Sequence, residues 1–268
     1  MTDTTAPGPD GVGAPDAVLD LLGALSYAQL SGFEALAADA QMTPHLRAKL
    51  VFARMGVEMF HRCEAVGARL HDLGVDQETA MAPFVGAVDA FHERTKPSDW
   101  LEGIVKAYVG DGIVRDFYTE MAAHLDADSQ AFIIEMLSDA GRAEAIVDEV
   151  RHAIDGDARL GGRLALWARR IMGEAIHATQ SVAAERDSLT ALLVGGEPGS
   201  DINELGRMFA RITQAHTVRM EALGQDARPK ARDDSGARPT GRAPLSTIVS
   251  IRPSWSPRRR RRCRRPRG

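Results

Sequence analysis

Apolar residues recur every third or fourth position through most of this chain, the spacing of helix faces rather than of strands. Pro15-Asp16 opens a first helix to about residue 40, striped by Leu19, Leu22, Ser26, Gln29, Phe33 and Leu36. Thr43-Pro44 offers a capping hydroxyl and a first-turn proline for a second helix that Gly74 stops. Its stripe reads Leu46, Leu50, Ala53, Val57, then Glu58 and His61. A shorter helical connection over 76–95 is expected to bend at Pro83. Ser98 caps a third long helix, about 99–124, with Trp100, Ile104, Tyr108, Asp111, Val114, Tyr118 and Met121 in line. Asp126 or Asp128 caps a fourth, through Phe132, Met136, Asp139, Ala143, Ile146 and Val150, ending near Gly156. A fifth helix covers 157–193, and a sixth starts at Ser200 or Asp201 and ends at Leu223. The fold class is all-α.

Composition agrees with that pattern and narrows it. The chain has 268 residues and is 44% hydrophobic, enough for one sizeable core, while aromatics reach only 5%. No apolar run approaches the ~18 residues of a membrane span. Cys63 and Cys263 are the only cysteines, which argues against a disulfide framework and for a reducing cytoplasm.

Charge is divided unevenly. Residues 227–268 hold 14 of the 33 Lys/Arg and only two acidic residues, Asp233 and Asp234. An acidic helical domain over 15–224 is therefore expected between a disordered leader, 1–14, and a disordered Arg/Pro-rich basic tail, 225–268. The arginine run at 258–262 can meet a polyanion through counterion release, or serve only as a solvated terminus.

Every long stripe is interrupted by a polar residue near its middle. Gln29 and Glu58 stand equidistant from the turn at 41–43, and Asp111 and Asp139 equidistant from the turn at 124–127. Antiparallel hairpins would bring all four to one level. Glu58-x-x-His61 places a carboxylate and an imidazole on one helix face, and Arg142 follows Asp139 by one turn. Buried charges need partners or a metal, so a shared interior site is expected.

These features, with the stretches LGALSYAQLSGFEALAADA (22–40), AMAPFVGAVDAFHERT (80–95) and SDWLEGIVKAYVGDGIVRDFY (98–118), resemble the ferritin-like superfamily. More narrowly, the chain is similar to actinobacterial ferritin-like proteins related to the tRNA hydroxylase that acts on an isopentenyl-modified adenosine. The resemblance implies a ferritin-like antiparallel four-helix bundle with additional C-terminal helices. It implies iron, one or two ions, at Gln29, Glu58, His61, Asp111 and Asp139. It also implies a hydroxylase with a tRNA substrate and an external electron donor, since no flavin or nicotinamide motif occurs. Gln29 stands where a carboxylate is usual, and Arg142 where a second histidine belongs. A guanidinium has no lone pair to offer, so Arg142 is a charge-replacing residue rather than a ligand. The other reading is a metal-free bundle with a buried Arg–carboxylate network, acting as a structural or interaction protein and packing against a partner or itself as a homodimer.

Overall fold

The computed structural model describes residues 14–138, 142–193 and 202–224; the leader, the basic tail and Asp139 lie outside the described residues. Ten α-helices and two 3₁₀ turns make up the described residues, with no strand among them. In chain order they are α1 (Ala14–Asp39), α2 (Leu46–Asp72), α3 (Gln77–Met81), α4 (Val85–Arg94) and α5 (Trp100–Ala122). Then follow α6 (Ala127–Met136), α7 (Arg142–Ile154), α8 (Ala158–Glu185), α9 (Asp187–Leu193) and α10 (Ile202–Ala222).

The hairpin of α1 and α2 forms as expected, and side-chain pairs give its register. Ser26 Oγ lies 3.6 Å from Cys63 Sγ, and a Cβ added at Gly32 would come within 2.5 Å of Met59 Sδ. As the numbers rise on α1 they fall on α2, so the two run antiparallel. Small residues at Gly32 and Gly56 let the helices approach closely.

The buried face of α2 differs from the expected one. Ala48, Phe52, Gly56, Cys63, Val66 and Leu70 are buried, whereas Leu46, Leu50 and Val57 are exposed at 80%, 54% and 50%. Apolar residues surround most of this helix, so its periodicity has two phases. The close approach to α1 selects the phase that carries Gly56 and Cys63. Thr43 is no cap either: its hydroxyl donates to the Ala40 carbonyl, and His45 precedes the helix without a side-chain capping bond.

At its N-terminal end α5 sits at the centre of the molecule, with every residue from Leu101 to Ala107 buried. A helix buried all round must be walled by others. The Trp167 indole on α8 donates to the Glu102 carbonyl at 2.9 Å. Arg219 and Arg211 on α10 reach Asp116 and Glu120. Asp99, not Ser98, is the N-cap: it accepts from the Glu102 amide at 2.9 Å, while Glu102 accepts from the Ser98 amide and hydroxyl at 2.8 and 2.6 Å. The arrangement is a variant of the capping box in which the N3 carboxylate returns to the residue before the cap instead of to the cap itself. Arg163 bridges both carboxylates, which leaves Glu102 buried rather than on a solvated face.

Two long helices anticipated from the pattern are divided. The fourth ends at Met136 and resumes at Arg142. The carbonyl of Ser138, released by that break, accepts from the guanidinium of Arg62 at 3.5 Å. The fifth breaks at Arg186, whose backbone is extended and whose guanidinium pairs with Asp20, a carboxylate that also accepts from the Ser188 hydroxyl. At Pro83 the connection does bend, as a 3₁₀ turn between α3 and α4. No helix among the described residues is long and apolar enough to cross a membrane.

Candidate functional site

Asp111, one of the expected interior carboxylates, is the centre of the observed arrangement. It projects from the middle of α5, and each of its oxygens meets a guanidinium. Arg62 on α2 approaches Oδ1 at 2.9 Å, and Arg115, one turn along α5, approaches Oδ2 at 2.5 Å. Arg62 is 7% exposed, so this is a largely desolvated ion pair. Glu58 borders the same small pocket, with Met55, Tyr108, Ile146 and Arg219 around it. Three guanidinium groups thus surround two carboxylates.

Gly112 makes room for the third of them. A Cβ there would come within 2.5 Å of Arg219 Nε, so only glycine lets that side chain lie across α5 and pair with Asp116 at 2.5 Å. Gly110, two residues earlier, meets nothing within 4 Å and instead borders a larger cavity.

The larger cavity, about 190 Å³, lies between α1, α4, α5 and α8. Gln29 lines it at 2% exposure, and its Oε1 has no hydrogen-bond partner among the described residues. Towards the C-terminal end of α1 the wall becomes charged. Asp39 and Lys106 both border the cavity, and both are buried. Burial lifts the Asp39 carboxyl to about 6, against the opposing pull of Lys106, and burial lowers the Lys106 ammonium to about 8, against that of Asp39. The ammonium lies over the Phe91 ring, 5.7 Å from its centroid. His92 borders the same end; burial and the Lys106 charge lower it to about 4, against the pull of Asp89, so the imidazole is neutral at physiological pH.

The expected site residues therefore separate into groups. Gln29 and Asp111 border the large cavity, and Glu58 and Asp111 the small one. His61 does not join them: it is exposed, and its neighbour Arg62 occupies the interior position. The physical reason is the phase of α2, because the face carrying Leu46, Leu50 and Val57 carries His61 outward with it. Asp139 lies outside the described residues, as does the side chain of Arg142, whose backbone begins α7.

The described residues fit an iron centre poorly. Among the described residues no three His, Cys, Asp or Glu side chains gather as a metal-binding group. The carboxylate best placed to bind is already balanced by two arginines. A dication about 5 Å from a guanidinium is repelled by roughly 7 kcal/mol at an effective dielectric near 20. Arg62, Arg115, Lys106 and Asp39 were not anticipated as site residues. Lys106 alone carried a signal, being a cation inside the apolar run Ile104-Val105-Lys106-Ala107.

Among known families, the one described as ferritin-like domain, actinomycetes, matches residues 14–196. No curated protein matches the chain.

Proposed function

Because the chain belongs to the ferritin-like domain family of actinomycetes, we propose that it is a member whose metal position is held by a guanidinium–carboxylate cluster, making it a non-catalytic helical scaffold. The observation that carries this reading is Asp111 clamped between Arg62 and Arg115. In a metal centre the charge of clustered carboxylates is balanced by the ions; here arginine side chains supply that balance. The exposure of His61 supports the same reading, since the Glu-x-x-His pair cannot present both side chains inward. The iron-dependent tRNA hydroxylase reading draws on resemblance, and fold alone does not fix chemistry.

Metal analysis of protein expressed in iron-supplemented medium tests the proposal. Less than one equivalent of iron per chain is expected, with no change in His61→Ala. Two equivalents in the wild-type protein, or a metal content that drops in His61→Ala, would overturn it.

A further inference from the structure

We propose that the cavity between α1, α4, α5 and α8 is a binding site for an uncharged, elongated aliphatic molecule carrying a hydroxyl group. The shape comes from small residues. Ala24, Ala28, Gly32 and Ala35 line it from α1, and Ala175 and Ala178 from α8. Where larger side chains would interdigitate, these leave a channel instead. Its wall follows α1 from Leu21 to Asp39, a rise of about 27 Å at 1.5 Å per residue. A cavity of about 190 Å³ exceeds the ~150 Å³ of engineered apolar cavities that take up benzene. Its walls are aliphatic and aromatic, with Val88 and Phe91 of α4 facing Ile113 and Phe117 of α5.

Two polar features give the ligand its chemistry. The Oε1 of Gln29, almost wholly buried and without a partner among the described residues, borders the channel and calls for a hydrogen-bond donor. A buried acceptor left unmatched is costly, and an aliphatic core position would be better filled by Leu. At the charged end Asp39 and Lys106 offset one another, and the neighbouring His92 is neutral. A carboxylate or an ammonium on the ligand would leave that end with an unbalanced charge in a desolvated place. A neutral hydroxyl would not. Asp111 also borders the channel, and there Arg62 and Arg115 balance its charge, so it too leaves no unpaired charge for the ligand to meet.

Calorimetric titration of the full-length protein with 1-decanol tests it, with decanoate and decylammonium as charged comparators below their micellar concentrations. One saturable site is expected for 1-decanol, at least tenfold tighter than for either ion. Gly110→Leu, which places a side chain into open space at the cavity wall, is expected to abolish binding. Ala178→Phe serves if that variant does not fold. Gln29→Leu is expected to weaken 1-decanol about tenfold while leaving the protein folded. The proposal fails if no saturable binding is seen, if binding survives in the folded filled-cavity variant, or if a charged comparator binds as tightly.

Discussion

The guanidinium of Arg62 on α2 and the carboxylate of Asp111 on α5 lie 2.9 Å apart, joining two helices whose paired residues stand 49 positions apart in the chain. The pair is mostly buried, so each partner depends on the other. Removing Asp111 alone leaves Arg62 desolvated and uncompensated, which typically costs about 3–5 kcal/mol. Part of that is spared because Asp111 is 19% exposed and Arg62 also reaches the Ser138 carbonyl. Asp111→Leu is therefore expected to destabilise by about 2–4 kcal/mol, and the double variant Arg62→Met/Asp111→Leu by much less. A double-mutant cycle in urea measures the difference; additive losses would show that the two side chains are not coupled.

Asp39 supplies a pH dependence of defined sign. Burial raises its carboxyl from 3.8 to about 6, although Lys106 pulls the other way. With the folded value above the unfolded one, its contribution is whole below about pH 4 and is lost as pH rises through about 6. Asp39→Asn should therefore match the wild type near pH 4 and exceed it by about 1–2 kcal/mol near pH 7, less than the full shift implies because Lys106 loses its counter-charge. Urea midpoints at the two pH values decide the matter, and an advantage confined to the acid side would contradict it.

The sequence made some of this plain and concealed the rest for identifiable reasons. Leu22, Ser26, Gln29 and Leu36 of α1 are buried together as their spacing implies, although this helix buries residues on most of its circumference, Ala17, Asp20, Leu21, Ser31 and Asp39 included. On α2 the phase was ambiguous, and the large aliphatics Leu46 and Leu50 proved to be the exposed set. Burial of Arg62 depends on Asp111, 49 residues away, a partner that local periodicity cannot reveal. The break at Arg186 is similar, since it follows from an ion pair with Asp20 near the other end of the domain. Asp111 was legible as an interior charge; which cations would answer it was not.

Gly110 and Gly112 are expected to respond oppositely to substitution. Gly112→Ala drives a methyl into Arg219 and disturbs its pairing with Asp116, which outweighs the gain in helix propensity and leaves a net loss of up to about 1 kcal/mol. Gly110→Ala meets nothing within 4 Å and should gain about 0.5–1 kcal/mol from helix propensity. Chemical denaturation of the two single variants is sufficient, and equal signs would refute the assigned roles.

The α5 cap should outweigh its neighbour. Asp99→Ala removes the bond to the Glu102 amide and the ion pair with Arg163, a loss of about 1–2 kcal/mol. Ser98→Ala removes one hydroxyl bond to a carboxylate that keeps the Ser98 amide and Arg163, so a smaller decrease is expected. Thermal unfolding ranks the two; the reverse order would return the cap to Ser98.

The kinship match stops at residue 196, yet α10 begins at Ile202 and buries Met208, Ile212 and Met220, while its Arg211 and Arg219 grip Glu120 and Asp116 on the central helix. The compact unit of the structure thus extends past the matched residues. A protein trimmed to residues 14–196 would uncover the flank of α5 and strand two acidic side chains there.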